Sequence, residues 1–277
     1  IKERKDDFAW ENDRVAFRIY GQALLPIDGP SNGLDLWYKR TSDTIINKFY
    51  RDELAGKWSY HDDHGEGMDD YKVGCTLGGG MMAPFVNESL VLNENYVGQE
   101  LLENGPLRTS FRLAYKDITV GDRTFSESRI FSLDAGSQLT KVTQIYGVKD
   151  TLTVAAGIVK RSDDDDPSCA YSEKGTAAII YEEPETRKAG KVFIGMVFPN
   201  GLERVISNTY TITHAISKKE ESHSHVLGVT TYLPDQPVSY YTGFGWDKFG
   251  FDNINDFQRY IGNFVRKIEE PLIIKIL

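Results

Sequence analysis

The chain has 277 residues, of which 40% are hydrophobic, and a formal net charge of −9. This length and composition allow a sizeable core, so we assign residues 1–277 to a single domain. The acidic charge argues against a nucleic-acid-binding protein, which usually presents a basic surface, and no apolar run of about 18 residues predicts a membrane span. Because the first residue is Ile1 rather than methionine, we expect an N-terminal piece to precede it, with or without a signal peptide.

The apolar pattern predicts antiparallel β-strands along most of the chain. Tyr and Phe occur 15 and 14 times, and apolar and polar residues alternate between turn residues. In chain order the predicted strands are residues 15–20, 34–39, 110–115, 118–120, 123–125, 139–146, 152–159, 177–181, 191–198, 210–216, 226–232 and 238–241. Two sheets packed face to face cover so many half-apolar strands most simply. We therefore predict an all-β fold, an antiparallel β-sandwich of two large stacked sheets.

One α-helix is predicted near the C-terminus. The apolar residues that share its buried face are Ile254, Phe257, Tyr260, Ile261, Phe264, Val265 and Ile268. Asp252 or Asn253 is the expected N-cap, and Pro271 is the expected stop. A last strand is predicted over residues 272–277.

A long polar loop is predicted at about residues 57–80. The apolar periodicity is lost there, and six glycines lie among charged residues. Loops of this length inside a compact domain commonly carry function. Glycine breaks the helix that would place His61 and His64 on one face, so their spacing alone fixes no metal geometry. Three interpretations remain open: an acid–base or substrate-binding loop, a metal site of His61, His64 and Glu66, and a structural polar loop.

Cations and aromatic side chains are interleaved around this loop. The cations are Arg14, Arg18, Lys39, Arg40, Lys48, Arg51, Lys57 and Lys72, and the aromatic residues are Trp10, Trp37, Tyr38, Tyr50, Trp58, Tyr60 and Tyr71. Aromatic rings pack against sugar faces, and Arg and Lys bind carboxylates. A core does not need cations, and a surface does not need this much aromatic area. The pattern therefore predicts a pocket for an anionic sugar.

The remaining histidines and the cysteines give weaker signals. Cys75 and Cys169 lie in no CxxC or metal-spaced pattern, so we expect two buried thiols rather than a disulfide. The other histidine candidates are His214, His223 and His225. His223 lies in a charged turn and is expected at the surface, whereas His225 precedes an apolar strand.

Several long strings in the chain resemble one known family. They are DDFAWENDRVAFRIYG from Asp6, GLDLWYKR from Gly33 and YHDDHGEGMDDYKVG from Tyr60, with shorter strings from Gly105 and Tyr240. Together they are similar to the Bacteroidota family DUF4861 over nearly the whole chain. This family is similar to proteins of polysaccharide-utilisation systems. One of its branches consists of ulvan oligosaccharide dehydratases, which act on a nonreducing-end uronic acid attached to sulfated rhamnose.

The resemblance implies a secreted or periplasmic protein with a supersandwich-like β-core and an anionic, uronic-acid-containing oligosaccharide as its partner. No cofactor is expected to be required, although a bound metal ion stays open as an alternative. A dehydratase of this kind removes the C5 proton of the uronate and expels the C4 oxygen as water. The reaction needs a base, an acid and a cation beside the uronate carboxylate.

We therefore assign roles as hypotheses. The catalytic candidates are His61 or His64 as the base and Tyr60 or Tyr50 as the acid, together with Lys72. The substrate-binding candidates are Arg18 and Lys39, which with Lys72 would hold the carboxylate, Trp58 as a sugar platform, and Arg14, Glu66 and His225. Alternation places Arg18 on the strand face opposite Val15, Phe17 and Ile19, which suits a cleft as well as solvent.

Other functions fit the same residues. A polysaccharide lyase would eliminate the next sugar from the same C4 carbon. A glycoside hydrolase would use two carboxylates, such as Glu66 and Asp70, on either side of a glycosidic bond. A noncatalytic carbohydrate-binding protein would need the aromatic rings alone, and a metal-dependent enzyme would hold its ion in the loop.

Overall fold

Antiparallel strands form most of the structure, a computed structural model that describes residues 6–162, 166–186 and 188–273. The strands are β1 (Phe8–Glu11), β2 (Ala16–Ile19), β3 (Asp35–Lys39), β4 (Gly67–Asp69), β5 (Gly79–Val86), β6 (Ser89–Leu90), β7 (Gly98–Asn104), β8 (Arg108–Ala114), β9 (Ile118–Val120), β10 (Arg123–Phe125), β11 (Glu127–Asp134), β12 (Leu139–Tyr146), β13 (Leu152–Lys160), β14 (Ser168–Tyr171), β15 (Ala177–Glu182), β16 (Val192–Phe198), β17 (Arg204–Thr213), β18 (Glu220–Tyr232) and β19 (Val238–Trp246). The α-helices are α1 (Leu25–Asp28), α2 (Ile46–Leu54) and α3 (Ile254–Glu269).

Two large sheets pack face to face, which confirms the predicted all-β sandwich. One sheet has eight strands in the order β14-β15-β16-β19-β12-β11-β8-β7, and the other has five in the order β17-β18-β13-β5-β6. Their inner faces share one hydrophobic core, to which Phe131 and Val142 contribute from the larger sheet and Met82 and Ile158 from the smaller. A β9–β10 hairpin forms a separate two-stranded sheet.

Helix α3 packs on the outer face of the eight-stranded sheet. Its residues Phe257 and Ile261 join Phe193 and Val197 in a second apolar cluster. As predicted, Asn253 caps the helix, because its side chain accepts hydrogen bonds from the next turn's backbone N–H groups. No helix in the described ranges is both long and apolar enough to span a membrane.

A four-stranded sheet, in the order β1-β2-β3-β4, packs one face against β19, where Phe17 and Tyr38 contact Phe244. Helix α2 covers its other face. Helix α2 was not predicted from the sequence, because the contacts that support it come from other parts of the chain. Glu11 of β1 accepts hydrogen bonds from the backbone N–H groups of Ile45 and Ile46, which the helix start leaves without partners. Phe49 then packs against Trp37 of β3.

The other differences from the predicted elements are local. The predicted 57–80 loop contains the short strand β4, and β5 begins inside it at Gly79. Several strands were missed, among them β1, β5, β7 and β11. Of the predicted last strand, Leu272 and Ile273 have no regular structure and the rest lies outside the described residues. Both cysteines are free thiols, as predicted, but neither is fully buried: Cys75 is partly exposed and Cys169 is exposed.

Strand β4 begins at a position that only glycine suits. Gly67 has φ +133°, and a Cβ atom there would lie 1.9 Å from the Tyr38 carbonyl oxygen of β3. We expect G67A to lower the free energy of unfolding by at least about 2 kcal/mol, because strain and a backbone clash act together. Urea denaturation measures this loss. The control is G65A, because Gly65 also has a positive φ, +99°, but a Cβ atom there would meet no atom within 4 Å. An equal loss of stability in both variants would show that the backbone clash at Gly67 adds nothing.

Candidate functional site

A pocket of about 580 Å³ opens where the four-stranded sheet of β1–β4 meets loops from both large sheets. It is lined by Arg18, Tyr20, Asp28, Ser31, His61, Asp69, Asp70, Tyr71, Lys72, Val73, Gly74, Lys188, His214 and Glu221. The predicted 57–80 loop therefore supplies half of the lining. Lys188 comes from the β15–β16 connection, and His214 and Glu221 come from the β17–β18 hairpin.

A buried arginine lines the pocket between two carboxylates. Arg18 donates from Nε to Asp35 at 2.7 Å and from Nη2 to Asp69 at 2.7 Å. Strand pairing places Asp35 directly opposite Arg18 and brings Asp69 in from β4. Burial alone would lower the pKa of Arg18, but the two carboxylates raise it well above its ordinary value. Arg18 is thus already neutralised, which leaves it poorly suited to the predicted role of carboxylate clamp.

The tautomer of His61 follows from its hydrogen bond. Its Nδ1 lies 2.8 Å from the backbone carbonyl oxygen of Asp69, which only accepts, so Nδ1 carries the hydrogen. The neutral ring therefore has its lone pair on Nε2. The Asp69 carboxylate lies 3.8 Å from Nδ1, where it would stabilise a positive ring after proton uptake. With a side chain that is 49% exposed, His61 is oriented as a general base.

His214 is held in the opposite tautomer. Its Nδ1 accepts hydrogen bonds from the backbone N–H groups of Ile216 at 3.3 Å and Ser217 at 3.1 Å. The hydrogen of the neutral ring must then be on Nε2. Among the described residues none accepts that hydrogen, so it is available to a bound molecule.

Exposed charges of both signs complete the pocket. Lys72 and Lys188 are exposed cations, and Nζ of Lys188 lies 3.1 Å from Asp62 and 3.9 Å from Asp70. Burial raises the pKa of Asp70, against the opposing effect of Lys188. Lys72 has no ion pair among the described residues, so it is the cation best placed to receive an anionic substrate. Lys188 is 45% exposed and can do the same if it exchanges Asp62 and Asp70 for the substrate.

Three predicted site residues lie in the interior instead. Tyr60 stacks on Trp37 with ring centroids 5.1 Å apart, and Tyr50 packs against both rings. Burial raises the pKa of Tyr50. Lys39 is fully buried and donates to Glu11 at 2.9 Å. None of the three lines the pocket, so the geometry gives them structural roles.

Four other predicted residues lie at the surface away from the pocket. Nε2 of His64 donates to the Ser59 carbonyl at 3.2 Å, and its ring lies 5.2 Å from that of Trp58. Glu66 pairs with Lys48, and Arg14 pairs with Asp13 at 3.2 Å. Within the described ranges no three His, Cys, Asp or Glu side chains are grouped to hold a metal ion, so His61, His64 and Glu66 do not form such a group.

His225 is a core residue rather than a substrate-binding one. Its Nε2 accepts a hydrogen bond from the Leu77 backbone N–H at 3.2 Å, and its ring stacks on Tyr210. Burial lowers the pKa of His225 from its ordinary 6.5 to about 3. His223, expected at the surface, is partly buried, with 15% of its side chain exposed.

The buried His225 makes stability depend on pH. His225 becomes protonated below about pH 6.5 in the unfolded chain but only near pH 3 in the folded chain. The free energy of unfolding therefore falls as the pH decreases through this window. We expect the wild type to lose about 1 kcal/mol per pH unit more than H225Q just below pH 6.5. Urea denaturation at several pH values measures this, and parallel curves for the two proteins would refute it.

Three residues that line the pocket had no role predicted from the sequence: His214, Lys188 and Glu221. His214 lies within the predicted strand 210–216, at the end of the observed β17, and a histidine next to a hairpin turn is a weak signal. Lys188 lies between β15 and β16, and the sequence does not reveal where these two strands lie in the sheet. His214 and Glu221 reach the pocket because β18 pairs with β13 and β13 pairs with β5, and Lys188 reaches it because β16 pairs with β19.

Solved structures resemble this chain only weakly. A 4-alpha-glucanotransferase from Thermococcus litoralis has a TM-score of 0.40 and 10% identity over 86% of this chain and 37% of its own. Heparinase III has a TM-score of 0.37 and 8% identity over 90% of this chain and 37% of its own. An alpha-galactosidase variant from Geobacillus stearothermophilus has a TM-score of 0.37 and 8% identity over 87% and 41%. The chain spans less than half of each, and we draw nothing about activity from these scores.

The sequence relationships are stronger. A protein of Formosa agariphila described as "Uncharacterized protein P7" is 30% identical over 284 residues, which cover 100% of this chain and 68% of the relative. The family described as "Domain of unknown function (DUF4861)" matches residues 1–274. The chain therefore belongs to the DUF4861 family.

Proposed function

We propose that this chain is an oligosaccharide dehydratase that removes water from a nonreducing-end uronic acid of ulvan-type oligosaccharides. The observation that carries the proposal is the hydrogen bond from His61 to the Asp69 carbonyl, which leaves Nε2 as a base in a pocket with Lys72 and Lys188. The resemblance to ulvan oligosaccharide dehydratases supplies the substrate class, and with it a periplasmic or secreted location.

The chemistry uses one base and two cations. Nε2 of His61 takes the C5 proton, the C–H electrons form the C4=C5 double bond, and the C4–O bond breaks. The imidazolium then returns a proton to the departing oxygen, which leaves as water, so no second acid is required. The Asp69 carboxylate stabilises the transient imidazolium. Lys72 and Lys188 stabilise the negative charge that develops on the substrate carboxylate and so lower the activation free energy.

A glycoside hydrolase is the second candidate, and one observation favours it. Asp70 and Glu221 both line the pocket, and burial raises the pKa of Asp70, as a general acid requires. Glu66, the other carboxylate considered from the sequence, lies elsewhere.

Product analysis tests the proposal. The purified protein is incubated with a panel of saturated and unsaturated uronic acid oligosaccharides, and the products are analysed by mass spectrometry and ultraviolet absorbance. We expect the loss of one water mass with a new absorbing double bond and no chain cleavage. Cleavage with a new double bond would indicate a lyase, and a gain of water would indicate a hydrolase.

A further inference from the structure

We propose that His214 is a second functional residue, a neutral hydrogen-bond donor that binds the carboxylate of the substrate uronate. This inference rests on the proposed function and extends it to a residue from the β17–β18 hairpin. His214 and His61 line one pocket but come from different sheets, His214 next to the end of β17 and His61 from the loop before β4.

The turn that follows His214 fixes which of its ring nitrogens carries the hydrogen. Two backbone N–H groups, of Ile216 and Ser217, point at Nδ1. A hydrogen on Nδ1 would face two donors and leave both without an acceptor, so the neutral ring carries its hydrogen on Nε2. A neutral ring of this kind is a poor base but a good donor to an anion.

The two histidines thus offer complementary groups. His61 presents a lone pair at Nε2, which suits removal of the C5 proton, whereas His214 presents an N–H at Nε2. As the C5 proton leaves, negative charge moves onto the adjacent carboxylate oxygens, and donors aimed at those oxygens stabilise the transition state more than the ground state. Lys72 and Lys188 supply charge there, and His214 supplies a directed hydrogen bond.

Two variants separate this role from support of the turn. In H214N the amide oxygen replaces Nδ1 as acceptor for Ile216 and Ser217, but the donor at Nε2 is lost. In H214Q the amide N–H group reaches the position of Nε2, whereas the acceptor in the turn is displaced. We expect kcat/KM for elimination to fall by about 10²-fold in H214N and by less than about 10-fold in H214Q. Thermal unfolding of both variants reports on the turn.

In addition to the kinetics, the affinity of the wild type and both variants for glucuronate is measured by NMR titration. Weaker binding by H214N than by H214Q supports the proposal, even if the wild type eliminates no water and the proposed function fails. If H214N eliminates water and binds glucuronate as well as the wild type does, the role of His214 is overturned and the proposed function stands. Equal losses in both variants, or a larger loss in H214Q, would assign His214 to the turn alone. A wild type that neither binds nor converts uronates would overturn both proposals.

Discussion

Replacing His61 by alanine should reduce kcat/KM for elimination by about 10²–10⁴-fold without unfolding the protein. The variant removes the group whose Nε2 lone pair accepts the C5 proton. The fold should tolerate the change, because half of the side chain is exposed and water can replace the hydrogen bond to the Asp69 carbonyl. Initial rates from ultraviolet absorbance measure the loss, and circular dichroism checks the fold.

His64 is the matched control for this variant. It lies three positions further along the same loop, but its Nε2 donates to the Ser59 carbonyl and it does not line the pocket. H64A should therefore retain activity within about twofold of the wild type, as expected for a residue that makes no contact in the transition state. An inactive H64A beside an active H61A would reverse the assignment of the base.

Replacing Arg18 by alanine should lower the free energy of unfolding by about 3–5 kcal/mol. The change leaves the carboxylates of Asp35 and Asp69 buried without their cation, and their exposed fractions are 0% and 2%. Urea denaturation measures the effect. Because Asp69 also holds His61, the same variant should lose activity as well as stability.

Arg14 provides the comparison on the surface. Its ion pair with Asp13 has side-chain exposures of 50% and 37%, and exposed pairs of this kind contribute little to stability. R14A should change the free energy of unfolding by less than about 0.5 kcal/mol. Similar values for R14A and R18A would mean that solvent reaches Asp35 and Asp69 and that the network is not buried in solution.

The sandwich was predictable from sequence because its strands carry their own signal. Alternating residues predicted strand β12 at Leu139–Tyr146. Asp252 or Asn253 was the expected start of helix α3 and Pro271 the expected stop, and the helix runs from Ile254 to Glu269. Strand β5 was missed because glycines, methionines and a proline replace the β-branched residues that mark a strand. Helix α2 was missed because Glu11, far away in sequence, satisfies its first N–H groups.

The site was predictable only in part. The loop and two of its pocket residues, His61 and Lys72, follow from local composition. Alternation correctly separated Arg18 from Phe17, and Arg18 does line the pocket. On the same face of β2, however, Ala16 is covered by α2 and Tyr60. His214 and Lys188 could not be placed, because their approach depends on the order of strands in two sheets.

The most direct test of the central claim is conversion of a uronate oligosaccharide that carries deuterium at C5. Removal of that hydrogen is the step assigned to His61. We predict that the unsaturated product lacks the deuterium and has lost one water, whichever step limits the rate. A product that keeps deuterium at C5 would contradict proton abstraction and with it the dehydratase proposal.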